Sequence, residues 1–168
     1  AAEQAREILG AVPNHPAATL LLAMARRRSN DVAEALRILE PLAASQPRWA
    51  VAQRELGLAL GDAGCGEEAV AALRTAVRLQ PTMADVWRTL GDHLHAMGDT
   101  AGADQAYANH IRNSTRDPRL MEPALALAEG RIAVAEPLLR SHLQQFPTDV
   151  AAIRMLAEIA SRIGRYTD

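Results

Sequence analysis

The sequence contains no lysine, one cysteine and only five aromatic residues among its 168. The single cysteine, Cys65, excludes a disulfide within the chain, and its glycine neighbours indicate a turn residue rather than a nucleophile. No apolar run approaches the roughly 18 residues that a membrane-spanning helix needs, and no signal peptide opens the sequence. These absences lead us to expect a soluble, cytoplasmic protein that does not bind a membrane.

Charge does not point to a polyanionic partner. The formal net charge is −2, and arginine supplies all 18 basic side chains. Such a balance gives no basic surface for nucleic acid, so we expect none to bind. The exclusive use of arginine, together with abundant alanine, is typical of GC-rich coding and suggests a bacterial source.

What the sequence does contain is a repeat. Apolar and small residues recur at an interval of 34 residues, and residue type agrees as well as spacing. The matched pairs are Leu56 with Leu90, Gly57 with Gly91, Leu60 with Leu94, Gly64 with Gly98, and Ala69 with Ala103. Going back by the same interval, Leu22, Ala35, Leu39 and Pro47 fall on Leu56, Ala69, Leu73 and Pro81.

This pattern resembles the tetratricopeptide repeat, in which a W-x2-L-G-x2-Y motif opens a unit of 34 residues. The positions that carry the resemblance are Trp87, Leu90, Gly91, Leu94, Gly98, Ala103 and Tyr107. The resemblance implies an all-α fold, a right-handed superhelix (α-solenoid) of antiparallel helix pairs. It covers the whole chain as one array: residues 1–13 as the second helix of a partial repeat, then repeats at 16–47, 50–81, 84–115 (two residues short), 116–147 (degenerate) and 150–168 (truncated).

Individual positions predict local structure. We expect Gly57 and Gly91 to allow a close helix crossing, and Gly64, Gly98, Gly130, Gly164 and Asn30 to end helices in the left-handed conformation. Ala35, Ala69, Ala103 and Ala135 should be buried where paired helices pass. Thr100 and Thr148 are candidate N-caps. Pro47, Pro81 and Pro147 should follow the ends of second helices.

The fourth repeat departs from the pattern. Pro118 suits the first turn of a helix, but Pro123 then falls in the helix interior, where proline costs roughly 3 kcal/mol. Two outcomes stay open: either this helix is kinked, or it begins only near Glu122 and is short.

The histidines do not suggest a metal site. His93 and His95 are two residues apart on a predicted helix, so they point about 200° apart and cannot share an ion. His110 and His142 occupy one repeat position and should be partly buried between helices. We therefore predict no metal, no cofactor and no catalytic residue.

The resemblance implies a concave groove lined by the first helix of each repeat. The predicted partner-binding residues are Leu20, Met24, Arg27, Arg54, Leu58, Asp85, Arg88, Asp92, His95, Arg154 and Glu158. Arg54 and Arg88 should stack along the groove and hold a carboxylate, unless Asp85 and Asp92 already occupy them. The lysine and asparagine clamp of chaperone-binding members is absent, because Leu20, Met24 and Glu55 stand at those positions.

Three functions follow as hypotheses. The first is a non-catalytic scaffold that binds a peptide or partner protein in the groove. The second is the recruiting region of a larger enzyme, because residues 117–168 also resemble the repeat region of bacterial tetratricopeptide-repeat sulfotransferases. The third is self-association, a homodimer formed through terminal helices that lack polar capping repeats.

Overall fold

The computed structural model describes residues 2–164, which form ten α-helices, so the predicted all-α fold is confirmed. Ala1 and residues 165–168, which the expected segments 1–13 and 150–168 include, lie outside the described residues. The chain divides into two compact units, residues 1–82 and residues 83–168. Each unit is described by itself.

The N-terminal unit consists of one helix followed by two helix pairs. Its helices are α1 (Ala2–Ala11), α2 (Pro16–Arg28), α3 (Val32–Ser45), α4 (Ala50–Asp62) and α5 (Gly66–Leu79). Short turns at residues 29–31 and 63–65 fold each first helix back onto its partner. Leu39 and Leu73, both fully buried, anchor α3 and α5 in the core.

The C-terminal unit has two helix pairs and a final helix. They are α6 (Ala84–Ala96), α7 (Thr100–Ser114), α8 (Pro118–Ala128), α9 (Ile132–Gln145) and α10 (Val150–Ile163). Leu120 and Leu127 of α8, Leu139 of α9, and Met155 and Ile159 of α10 share one apolar core. This core joins α10 to the preceding pair and thereby fixes the position of its polar side chains.

Two glycines allow the two helices of a pair to approach closely, as predicted. A Cβ atom at Gly57 would lie 2.7 Å from the Cγ atom of Leu73, and one at Gly91 would lie 2.5 Å from Cε1 of Tyr107. Real Cβ atoms do not approach so closely, so only glycine permits these two crossings. The alanines of the facing helices, Ala69 and Ala103, are buried as expected.

The predicted turn residues adopt the left-handed conformation. Gly98 has a φ of 81° and Asn30 has a φ of 62°, and the other three glycines behave alike. This conformation ends the first helix of each pair. Asn14, with a φ of 67°, also has the left-handed conformation and lies in the turn between α1 and α2, which was not anticipated from the sequence.

The prediction that Thr100 and Thr148 cap helices is wrong. Asp99 caps α7, accepting a hydrogen bond from the Gly102 amide at 2.9 Å, and Asp149 caps α10, accepting from the Ala151 amide at 2.9 Å. In both cases the capping side chain is an aspartate beside or near the threonine. An aspartate at the N-cap also places negative charge at the positive end of the helix dipole.

Helix α8 begins before Pro123 and includes it. It begins at Pro118, with Asp117 accepting a hydrogen bond from the Arg119 amide, and Pro123 lies inside it. The alternative in which the helix begins near Glu122 is therefore wrong. At 11 residues α8 is shorter than α6, which has 13. Pro41 in α3 and Pro137 in α9 are further interior prolines that were not singled out from the sequence.

No helix among residues 2–164 is a candidate for a membrane span. None of them has both the length and the apolar character that a span requires.

Candidate functional site

The C-terminal unit has a cleft of about 390 Å³ between α6, α7 and α10. Four of the predicted groove residues line it: Arg88 and Asp92 from α6, and Arg154 and Glu158 from α10. Helix α7 adds Tyr107 and His110, which were not assigned to the groove from the sequence; Ile111 and Ala157 complete the lining.

Helix periodicity explains why these side chains converge. Arg88 and Asp92 are four residues apart, as are Arg154 and Glu158, so each pair lies on one helix face. Gly91 lets the Tyr107 ring lie close against α6, and the Tyr107 hydroxyl donates a hydrogen bond to Oδ1 of Asp92 at 3.0 Å. The glycine of the repeat motif therefore places a tyrosine in the wall of the cleft.

Both carboxylates of the cleft have a donor within the chain. Asp92 accepts from Tyr107, and Oε1 of Glu158 accepts from Nε of Arg162 at 2.9 Å. Burial, followed by the hydrogen bond to Asp92, raises the pKa of Tyr107 to about 12, so the phenol stays protonated and donates. Burial also raises the pKa of Glu158, although Arg162 opposes this effect.

The two arginines of the cleft have no carboxylate partner among residues 2–164. Nη2 of Arg154 lies 3.2 Å from Nε2 of His110, and Nδ1 of His110 lies 2.8 Å from the Ala84 carbonyl oxygen. Since that carbonyl only accepts, Nδ1 carries the proton and Nε2 accepts from Arg154. Arg88 is exposed and forms neither an ion pair nor a hydrogen bond with any described residue.

A second charged group lies in the N-terminal unit, where Arg27 and Arg54 turn toward Glu55. Glu55 is 1% exposed; Arg54 Nη1 lies 3.2 Å from its Oε1, and Arg27 Nε lies 3.5 Å from its Oε2. Arg27 also reaches Oδ2 of Asp62 at 3.0 Å. The sequence signal for Glu55 is an acidic residue beside the apolar stripe of α4, and it does not predict burial.

The remaining predicted groove residues differ in exposure. Leu20 belongs to the core of its unit at 6% exposed and offers little surface to a partner, and Met24 packs half-buried beside it. Leu58 is half-buried, whereas Asp85 and His95 are exposed. Arg54 and Arg88 belong to different units, so their stacking stays a prediction.

The histidines at the shared repeat position lie between helices, as predicted. His110 joins α7 to the start of α6, and Nε2 of His142 in α9 lies 2.9 Å from Oδ2 of Asp149, the N-cap of α10. The hydrogen bond from His142 lowers the pKa of Asp149. His93 is half-buried and His95 exposed, and residues 2–164 hold no cluster of three or more candidate metal ligands.

Comparison with known proteins concerns the fold. Residues 54–118 match the tetratricopeptide repeat family model. No curated protein sequence matches the chain. The fold and the matched residues define the class, a helical-repeat protein. Within that class, residues 54–118 match the tetratricopeptide repeat, so the resemblance seen in the sequence is confirmed over those residues.

Solved structures with this fold include two of MamA and one of a thermophilic protein. A crystal structure of MamA has 19% identity, covering 98% of this chain and 87% of that one, with a TM-score of 0.64. MamA 41-end from Desulfovibrio magneticus RS-1 has 24% identity over 66% and 62% of the chains, with a TM-score of 0.60. TTC0263, a TPR protein of Thermus thermophilus, has 22% identity over 94% and 88%, with a TM-score of 0.60.

These likenesses concern the fold alone, because the identities are low. The chain spans less than two-thirds of two of the MamA chains, 63% of one and 62% of the other. Helical-repeat proteins of this kind present extended concave surfaces that they use for binding.

Proposed function

We propose that this chain is a protein-binding module without catalysis of its own, and that the cleft between α6, α7 and α10 receives a segment of a partner protein. One observation carries the proposal. Arg88, Asp92, Arg154 and Glu158, which sequence spacing assigned to the partner-facing side of two first helices, line one concave cleft. This arrangement lets the partner-facing positions of separate repeats contact one ligand.

The chemistry of the cleft suits a peptide. Its walls combine charged groups and a tyrosine hydroxyl with the apolar side chains of Ile111 and Ala157. Side chains of both kinds are needed to hold an extended or helical segment. The net charge of −2 supports a protein partner over nucleic acid or an anionic membrane surface.

The proposal is tested by selecting binders from a library of random dodecapeptides displayed on phage. Synthetic forms of the selected peptides are then titrated against the chain and against Asp92→Ala and Tyr107→Phe, which alter the cleft. Ser141→Ala, on the exposed part of α9, is the control. We expect the cleft variants to bind at least fivefold more weakly, about 1 kcal/mol, and the control to bind normally. Equal affinity for all variants would place the binding surface elsewhere.

Self-association is a second candidate, favoured by an apolar cleft of about 270 Å³ along α9 and α10. Leu143, Leu156, Ile153 and Ile163 line it, and the last two are 45% and 36% exposed. Burying such side chains is worth roughly 1.5–3 kcal/mol each. The expected result is a concentration-dependent dimer in sedimentation equilibrium, lost in the doubly substituted Ile153→Glu, Ile163→Glu variant. A strict monomer at high micromolar concentration contradicts it.

The enzyme-associated alternative and the cytoplasmic location also stay proposals. A recruiting role beside a sulfotransferase is supported only by the resemblance of residues 117–168. Reading the gene downstream tests it: a glycine- and lysine-containing phosphate loop supports the role, and its absence removes it. Fractionation of the source cells tests the cytoplasmic location.

A further inference from the structure

The acidic and basic side chains of the cleft differ in whether they have a partner of opposite charge or a hydrogen-bond donor within the chain. Its two carboxylates already receive hydrogen bonds, Asp92 from Tyr107 at 3.0 Å and Glu158 from Arg162 at 2.9 Å. Neither of its two guanidinium groups forms an ion pair with a carboxylate of the described residues; Arg154 contacts His110, and Arg88 is exposed. The carboxylates of the cleft therefore already have partners, whereas the guanidinium groups can still bind a carboxylate of a ligand.

We propose that the cleft recognises an acidic side chain, Asp or Glu, of the partner segment and holds its carboxylate with Arg88 and Arg154. This inference rests on the proposed function of the cleft and adds the chemical class of the ligand's anchor. Guanidinium and carboxylate match as planar forks, so each arginine can donate two parallel hydrogen bonds.

His110 prepares Arg154 for this role. The Nδ1 proton is committed to the Ala84 carbonyl oxygen at 2.8 Å, so Nε2 is an acceptor for one Arg154 donor at 3.2 Å. A neutral acceptor fixes the guanidinium without cancelling its charge, in contrast to the carboxylates that pair with Arg27, Arg119 and Arg162. Of the five donors that a guanidinium carries, the remaining ones of Arg154 stay available for a ligand.

The surroundings of the two arginines favour an acidic side chain of the bound segment over a basic side chain. A basic side chain would have to displace Tyr107 from Asp92 or Arg162 from Glu158, leaving a half-buried donor without its acceptor. The apolar Ile111 and Ala157 lie in the same lining and can pack against the methylene groups of an acidic side chain. The cleft is bounded by three helices and open between them, so the segment need not end there.

The test uses paired libraries of random octapeptides, acetylated and amidated at their ends, with Glu, Asp or Gln fixed at the centre. The best acidic binders and their Gln twins are titrated against the chain, Arg88→Gln, Arg154→Gln and the double variant. Arg116→Gln, which removes an exposed arginine outside the cleft, is the matched control. Equal melting temperatures for all variants establish that they fold.

We expect each acidic peptide to bind at least tenfold more tightly than its Gln twin. Either single variant should lose about tenfold, the double variant should lose the preference for acid, and the control should change nothing. Raising the salt concentration should weaken only the acidic peptides. A selected peptide could bind Tyr107→Phe more weakly than the unsubstituted chain and yet bind equally well with Glu or Gln at its centre. That result would overturn this inference and leave the protein-binding proposal intact.

Two further outcomes separate the sources of charge. Peptides that require a free C-terminal carboxylate and ignore a central Glu would overturn the side-chain assignment. Displacement of the acidic peptide by inorganic phosphate at low micromolar concentration would also overturn it, because the site would then be a general anion site. If no peptide of any library is sensitive to the cleft variants, the proposed function itself fails.

Discussion

At the scale of single residues, the crossing of α6 and α7 depends on the missing side chain of Gly91. We expect Gly91→Leu to lower the free energy of unfolding by about 1–3 kcal/mol, since its Cβ would lie 2.5 Å from the Tyr107 ring. Urea denaturation of the purified variant measures this change. Gly91→Ala should show a smaller loss that Tyr107→Ala in the same chain partly relieves.

The control for that experiment is Gly10→Ala in α1. Apart from the backbone of α1 and the two chain neighbours, no heavy atom lies within 4 Å of the added Cβ there, so Gly10→Ala should stabilise the helix by about 0.5–1 kcal/mol. An unchanged stability in Gly91→Leu, or a loss in both positions, would show that close packing at Gly91 is not what the repeat motif preserves.

The caps of α10 give a second residue-scale prediction. Asp149→Ala should cost about 0.5–2 kcal/mol at neutral pH, because it removes the acceptor for the Ala151 and Ala152 amides, whereas Thr148→Ala should cost little. The His142 hydrogen bond lowers the pKa of Asp149 in the folded protein. Its stabilising contribution is therefore fully present above about pH 4 and is lost as the pH falls through the lowered value.

Unfolding curves for the wild type and Asp149→Asn, taken at about pH 7 and below about pH 3, measure that linkage. Asparagine still caps a helix, so the comparison isolates the charge. The two proteins should differ at neutral pH and converge in acid. A difference that persists unchanged in acid would assign the effect to packing.

At the scale of the element, α10 carries half of the charged residues in the cleft and is held by Arg162. Its guanidinium donates to the Leu127 carbonyl at 3.3 Å and to the Asp104 carbonyl, and its Nε donates to Glu158. One side chain thus ties α10 to α7 and α8. The position of Arg154 and Glu158 depends on that connection.

We expect Arg162→Ala to destabilise α10 by roughly 1.5–3 kcal/mol, because buried carbonyl groups and Glu158 lose a charged donor. Hydrogen exchange should speed up in α10, while α2 to α5 keep their protection. The control, Ser161→Ala, changes the exposed neighbour only. Uniformly faster exchange over both units, or none at all, would contradict a local tie.

The elements themselves were largely predictable from the sequence. The glycines, the alanines and the period of 34 identified the helix pairs, because those positions respond to local sterics that a residue type reveals. The caps were misassigned because an aspartate and a threonine are adjacent, and either can accept an amide hydrogen bond. The start of α8 was ambiguous because Pro118 and Pro123 both suit a first turn; in the structure Asp117 caps the helix at Pro118, and Leu120 in the first turn is buried in the core.

The site was predictable only in part. Helix period placed Arg88, Asp92, Arg154 and Glu158 on the partner-facing side, and they do line one cleft. The entry of Tyr107 and His110 from a second helix was not visible, because it depends on how closely α7 approaches α6. The burial of Glu55 was likewise invisible, since its two arginines come from different helices.

At the scale of the whole molecule, the two units differ in where their charges are directed. In the N-terminal unit Arg27 and Arg54 turn inward to the buried Glu55, whereas in the C-terminal unit Arg88 and Arg154 remain directed to an open cleft. A repeated framework of helix pairs therefore carries a structural charge cluster in one unit and a candidate binding surface in the other.

The central claim is that the cleft between α6, α7 and α10 receives the partner segment. The most direct measurement is a nitrogen-15 and side-chain NMR titration of the uniformly labelled chain with a selected peptide. We predict that the largest shifts map to Arg88, Tyr107, His110, Arg154 and Glu158, and that they are half-saturated at a free peptide concentration equal to the dissociation constant. Saturable shifts confined to α2 to α5, or to the outer faces of α7 and α9, would contradict it.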